Sequence, residues 1–165
     1  MPPDAARTGL VEAEPSIADA GSAQHQPLWL HASCVELNQT GVVLRGPSGS
    51  GKSDLALRLI DAGGRLIADD RLAVERAGDR LLGRPAAALA GLLEVRGFGI
   101  VRLPYGAVCE LGLVVDLDPQ AWPARLPEPE AVALLGLSLP CLRLDPRAPS
   151  ACAKVRLALA AERVA

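Results

Sequence analysis

One nine-residue stretch, GPSGSGKSD at residues 46–54, limits what this chain can fold into more than any other feature. It completes the pattern G-x-x-x-x-G-K-[ST] with Gly46, Gly51, Lys52 and Ser53. Glycines without a Cβ let the backbone curl until successive N–H groups point inward. A helix beginning at Ser53 adds its positive N-terminal end. Lys52 offers a point charge to outer phosphates, and the Ser53 hydroxyl offers a ligand to Mg²⁺. The flanks agree. The apolar run GVVLR precedes the loop as a buried strand, and SDLALRLIDAGG follows as a helix, with Leu55, Leu59 and Ile60 at helical spacing. The loop 46–53 (Gly46, Pro47, Ser48, Gly49, Ser50, Gly51, Lys52 and Ser53) is therefore read as a phosphate cradle. A flexible Gly-Ser turn would not need both flanks.

The chain has 165 residues and half of them are hydrophobic, which suits one domain with a sizeable core. Aromatics are limited to Trp29, Phe98, Tyr105 and Trp122, so the core is expected to be Leu, Val, Ile and Ala. The net charge of −2 and the lack of a basic run argue against a nucleic-acid footprint and an anionic membrane surface. A phosphate ligand must then be held by local geometry. Cys34, Cys109, Cys141 and Cys152 form no CxxC pair and are read as reduced core residues. No secretory leader and no membrane-length apolar run are visible, so a cytoplasmic setting is expected.

Residues 1–26 are rich in Ala, Pro, Ser and acids and are expected to be a disordered tail, with the catalytic domain over 27–165. LWLHASCVEL reads as one strand over 28–37, with a turn at NQTG through Asn38 and Gly41. RLIA is the next strand after the helix and ends at Asp69-Asp70. RLAVER and RLLGR flank a hairpin turn. LLEVRGFGIVRL and CELGLVVDLDP continue the strand-rich part, followed by a proline-rich surface loop over 120–130 and two short strands. PSACAKVRLALAAERV reads as a closing helix capped near Ser150. The sum is an α/β fold: a strand-rich mixed sheet packed with few helices.

In an α/β sheet, strand carboxyl ends face the crevice where such a loop lies. At least one of Asp69 and Asp70 is therefore expected near the terminal phosphate, and strand alternation sends the two to different roles. Glu94 is a lone acid in an apolar strand; buried, it needs a cation, and spacing alone leaves Arg96 and Mg²⁺ equally open. His31 lies on an apolar strand, where a lone histidine is most often structural.

With the loop, the Asp pair and LLEVRGFGI in view, the chain resembles the catalytic domain of bacterial HPr kinase/phosphorylase. The matching text is HASCVEL, then GVVLRGPSGSGKSDLALRLIDAGGRLIADDRLAV, then LLEVRGFGI. The resemblance implies a serine kinase that uses ATP and Mg²⁺ to phosphorylate HPr, or an HPr-like phosphocarrier of the phosphotransferase system. It also implies reversal by phosphorolysis, a nucleotide site related to that of phosphoenolpyruvate carboxykinases, and a hexamer. Carried over by position, residues 46–53 hold ATP and Ser53 with Glu94 bind Mg²⁺; Asp69 is a further candidate metal ligand. Asp70 accepts the serine proton and returns it in the reverse direction. His31 and Lys52 complete the active site, and Arg125 in the proline-rich loop is the arginine that reaches the reacting phosphate.

Three departures qualify the resemblance. Better-known relatives carry a further domain ahead of the catalytic one, whereas a short tail precedes Leu28 here, as in shortened proteobacterial versions. The family's proline-glycine-arginine element is poorly kept in LDPRAPSACAK, with Arg147 as its remnant, so weakened phosphorolysis is expected. The stretch 116–129 is short where the family has a mobile substrate-contacting loop. A small-molecule kinase on the same scaffold and a nucleotide-gated regulator are the competing readings. The pairing of Asp70 and Glu94 with Lys52 argues against the regulator, because binding alone requires no base.

Overall fold

The computed structural model describes residues 26–120 and 124–164. The expected N-terminal tail, apart from Gln26, and residues 121–123 lie outside the described residues. The elements are β1 (Leu28–Leu30), β2 (Ala32–Leu37), β3 (Thr40–Arg45), α1 (Lys52–Asp61), β4 (Arg65–Ala68), β5 (Leu72–Ala77) and β6 (Arg80–Pro85). A single 3₁₀ turn (Ala87–Leu89) leads to β7 (Leu92–Val95), β8 (Gly99–Arg102), β9 (Cys109–Leu117), β10 (Glu130–Leu134), β11 (Leu137–Leu144) and α2 (Ala151–Ala160).

Nine of these strands form one mixed sheet in the order β1-β5-β6-β9-β3-β2-β4, with β11 joining β9 and β10 joining β11. β9 is shared along its length. Cys109 and Glu110 pair antiparallel with β6, whereas later residues run parallel to β3 and to β11. The β6 arm thereby folds back until β6 lies against β4 and β5 against β2. The central strands are buried on both faces, which explains why GVVLR reads as an unbroken apolar run. Val42 and Leu44 pack with α1, α2 and Leu93 of β7. Val43, between them, packs on the opposite face with Cys34, Leu72, Val74 and Leu111.

α1 buries Leu55, Ala56 and Leu59 on one stripe and ends where Gly63 adopts φ 103°. The closing helix is shorter than its sequence pattern, because residues 161–164 leave the helical path. Ser150 stands at its N-cap without a side-chain cap hydrogen bond.

Two further expectations need correction. The 28–37 segment is two strands, not one. The chain bends at His31, so that β1 pairs with β5 while β2 pairs with β3 and β4. The β2–β3 turn is made by Asn38 and Gln39, at φ 49° and 63°, the two positive values a tight hairpin requires. Gly41 lies inside β3 instead, where a Cβ would come within 2.5 Å of Cys109 Sγ. All four cysteines are free; Cys34 and Cys109 are buried and Cys141 and Cys152 half-buried. Among the described residues no helix is long and apolar enough to cross a membrane.

Candidate functional site

β3 and β4 are both antiparallel to β2, so they run in one direction, and β9 and β11 run parallel to β3. Four strand carboxyl ends therefore meet at one edge of the sheet. The residue 46–51 loop leaves β3 there, Asp69-Asp70 follows β4, Asp118 follows β9 and Asp145 follows β11. This is the crevice that the sequence pattern anticipates.

The loop is tight where the spacing requires glycine. Gly49 and Gly51 adopt φ 79° and 100°. A Cβ on Gly46 would lie 2.5 Å from Ser50 Oγ, and one on Gly51 would press at 3.1 Å on Pro146. Gly51 is the N-cap of α1 and carries no side chain to occupy the first-turn amides. Lys52 is buried, and its Nζ donates to the carbonyls of Gly46 (2.8 Å) and Pro47 (3.1 Å), which pins the cation across the loop entrance. Burial pulls this ammonium below the usual lysine range, and the nearby carboxylates of Asp70 and Asp69 oppose the shift.

The two aspartates separate as alternation predicts, and by a sharper device than a strand. The Arg71 amide donates to the Asp69 carbonyl at 2.8 Å, and Asp70 between them sits at φ 66°. This is a three-residue turn of the strained, positive-φ kind. Asp69 turns inward. Its Oδ1 accepts from Ser53 Oγ at 2.8 Å and Ser33 Oγ at 2.7 Å, and its Oδ2 from the Glu94 amide at 3.1 Å. Asp70 turns outward and meets His31 Nδ1 at 3.1 Å, with both side chains exposed. Ser53 and Asp69, and His31 and Asp70, are thus brought together.

For Glu94 the condition of burial is not met. It is exposed rather than buried, because β7 belongs to a separate two-stranded hairpin with β8. Leu93 faces the core there and Glu94 faces out. Among the described residues no cation pairs with Glu94, Arg96 included. The backbone of Glu94 still ties the hairpin to Asp69. Arg125 is exposed in an irregular stretch, and no hydrogen bond or ion pair among the described residues draws it to the loop. At the same edge, Arg147 pairs with Asp145 at 3.2 Å and donates to the Pro119 carbonyl.

Two features went unread in the sequence. Ser33 is fully buried and anchors Asp69; a serine inside an apolar strand was the available signal. Arg45, next to Gly46, grips Asp116 of β9 in a two-pronged pair at 2.8 and 2.9 Å. That contact spans 71 residues of sequence and has no local signature.

The residues present fit a nucleotide with a divalent cation. Ser50 Oγ is buried without a hydrogen-bond partner, beside the loop's inner wall. An orphaned hydroxyl of this kind suits an anionic ligand's oxygen. Among the described residues no three His, Cys, Asp or Glu side chains converge as a self-sufficient metal site. Mg²⁺ does not need one, since it keeps waters and substrate phosphates and takes only one or two protein carboxylates.

The family model of the HPr serine kinase C-terminal domain matches residues 24–112, more than half of the chain. The chain belongs to that family. HPr kinase/phosphorylase of Geobacillus thermodenitrificans is 36% identical over 130 residues, covering 72% of this chain and 42% of that protein. The Clostridium tetani protein of the same name is 36% identical over 96 residues, 54% of this chain and 32% of its own length. The chain therefore spans less than half the length of these HPr kinase relatives. The solved HPr(Ser) kinase/phosphatase of Coxiella burnetii superimposes with a TM-score of 0.69 at 22% identity, over 80% of this chain and 87% of that one. That likeness supports the fold, a strand-rich mixed sheet with two α-helices among the described residues.

Proposed function

We propose that residues 27–165 form an ATP- and Mg²⁺-dependent serine kinase unit acting on HPr or an HPr-like phosphocarrier. The observation that carries this reading is the division of labour at Asp69-Asp70. One carboxylate is locked inward onto the loop's serine, and its neighbour is held outward, beside a histidine, where an incoming hydroxyl arrives.

The amides of residues 46–51, the first turn of α1 and Lys52 bind and orient the polyphosphate. Ser53, Asp69 and Glu94 are the groups to hold Mg²⁺, which when bound neutralises charge on the outer phosphates. Asp69 keeps the Ser53 hydroxyl aimed through its 2.8 Å contact. Asp70 accepts the serine proton late in transfer, because a serine hydroxyl holds almost no anion at neutral pH. In reversal by phosphorolysis Asp70 returns that proton. His31, at 3.1 Å, fixes the carboxylate's orientation. Arg125 remains the arginine assigned to the reacting phosphate, and Arg147, held on Asp145 and the Pro119 carbonyl at the same sheet edge, is a second candidate for that role. With a single arginine standing for the proline-glycine-arginine element, phosphorolysis is weak. A cytoplasmic setting follows from the need for ATP.

Incubation of the protein with labelled ATP, Mg²⁺ and HPr tests the reading. Label on an HPr serine supports it. Label only on a metabolite, or nucleotide binding without transfer, overturns it.

A further inference from the structure

The stretch 124–129, between β9 and β10, has little to hold it in place. Pro127 and Pro129 have no amide to donate. Apolar packing does not hold the stretch either. Leu126 is 69% exposed, and an open hollow of about 400 Å³ lies between Leu126, Pro127, Glu128 and Pro129 on one side and Arg163 and Val164 on the other. A single tie crosses that gap. The Arg163 guanidinium donates to the Pro127 carbonyl at 2.7 Å, over 36 residues of sequence. Among the described residues no other hydrogen bond reaches 124–129. Arg163 itself stands on a firm base. α2 is moored to the core by Ala151 and Val155, both fully buried, and the Ala161 amide closes it on the Leu157 carbonyl at 2.8 Å. Ala161 then turns to extended backbone, φ −111° and ψ 138°, and leads Arg163 to Pro127.

The tie lies two residues from Arg125. Leu126, between them, precedes a proline and is confined to extended backbone, so the link is short and stiff. Fixing the Pro127 carbonyl thereby limits where Arg125 can stand. The span that carries Arg125 is also anchored near the crevice at both ends. Asp118, after β9, donates its amide to the Leu144 carbonyl at 3.0 Å, and Glu130 opens β10 opposite Cys141, three residues before the end of β11. An arginine that stabilises a transferring phosphoryl group acts only when its guanidinium stands where charge develops. On an untied stretch it spreads over many positions, and a smaller fraction of the protein is poised for transfer. We infer that Arg163 is a positioning residue, whose hydrogen bond to the Pro127 carbonyl sets the stretch that presents Arg125. Arg163 acts through that carbonyl and not on the nucleotide or the acceptor. It has this role only if the serine-kinase reading above holds, with Arg125 at the reacting phosphate.

Limited trypsin digestion of the full chain reads the tie without any catalysis, because the Arg125–Leu126 bond is itself a trypsin site. Arg163→Met removes the donor and keeps an apolar stem, whereas Arg163→Lys keeps a donor. Arg163→Met is expected to speed cleavage after Arg125 about twofold to tenfold, measured by the mass of the fragment that begins at Leu126, and Arg163→Lys stays close to the parent. With labelled ATP, Mg²⁺ and HPr, Arg163→Met lowers kcat about threefold to tenfold while KM for ATP and the thermal midpoint hold, and Arg163→Lys restores kcat. Cleavage at the parental rate in Arg163→Met overturns the tie. Faster cleavage with parental kcat, or a full loss of kcat in Arg163→Lys at parental cleavage, overturns the positioning role. A parent that transfers no label to HPr overturns the kinase reading and the positioning role together, and the cleavage rates then decide whether the tie itself survives.

Discussion

Asp70 is held in a backbone conformation that most residues resist. The left-handed region costs an ordinary L-residue about 1–2 kcal/mol, and aspartate and asparagine tolerate it best. The value of 66° at Asp70 is one of four positive φ values at non-glycine positions among the described residues, and the other three lie in hairpin turns. Strain of this sort persists where surrounding structure enforces it, and functional sites collect it. Here the enforcement is visible: Asp69 is fixed by three donors, and the Arg71 amide closes back on the Asp69 carbonyl. Asp70→Asn is the decisive substitution, because asparagine keeps the turn and removes only the proton acceptor. The expected outcome is a fall in kcat of about 10²–10⁴-fold with unchanged ATP affinity, read by phosphate transfer and by calorimetry. Normal turnover with intact ATP binding removes Asp70 from the role of base. The loop and the Asp pair were legible because each lies within a few residues of an element end, whereas His31 on its own strand read as structural and entered only through the family resemblance. The sequence did not disclose Ser33, whose only clue is a hydroxyl among apolar neighbours. It could not settle whether Glu94 is buried, because its exposure depends on β7 standing apart from the main sheet.

The phosphate loop is only as rigid as the strands that launch it. Arg45 closes β3 immediately before Gly46, and its register partner on β9 is Asp116. Burial alone would raise the Asp116 carboxyl, but hydrogen bonding and charge from Arg45 outweigh it and hold the group below the usual carboxylate range. A lowered folded-state value means that the unfolded chain binds the proton more readily. The stabilisation is thus fully present above the ordinary aspartate value of about 3.9 and is lost as pH falls through the lowered folded value. Arg45→Met leaves the half-buried carboxylate without its partner. The variant is expected to lose about 1–3 kcal/mol at pH 7. Its deficit relative to the parent shrinks toward pH 3, where Asp116 is protonated in the unfolded chain. Urea unfolding at a series of pH values measures this, and a deficit independent of pH shows that the pair is not the cause. Elements with local signatures, such as α1 and the β5–β6 hairpin, were readable. The parallel register of β3, β9 and β11 was not, because it joins segments far apart in sequence through side chains that look ordinary where they stand.

At the scale of the whole molecule, the β7–β8 hairpin turns its inner side to the core through Leu93 and carries Phe98 and Ile100 outward, 81% and 71% exposed. Phe98 is one of four aromatic residues in the chain, and the hairpin's backbone hangs on Asp69 through the Glu94 amide. Adjacent apolar side chains at this exposure mark a contact surface more often than an accident of packing. We propose that another copy of this chain covers that surface, as the hexamer implied by the sequence resemblance would require. Closed symmetry buries such a patch in every copy and leaves none over to propagate. Phe98→Ser with Ile100→Ser is then expected to shift the protein to a smaller species at micromolar concentration, by light scattering coupled to size exclusion. Both side chains point to solvent, so far-ultraviolet circular dichroism and the thermal midpoint of the isolated subunit stay close to those of the parent. The position of the hairpin adds a second consequence. The Glu94 amide on the same hairpin donates to the carboxylate that accepts from Ser53, so a partner packed on Phe98 and Ile100 is expected to steady that contact. Loss of assembly is therefore expected to weaken Mg²⁺-dependent nucleotide binding more than binding measured with the metal chelated. A parental mass distribution in the double variant, or equal weakening with and without metal, separates the hairpin from both roles.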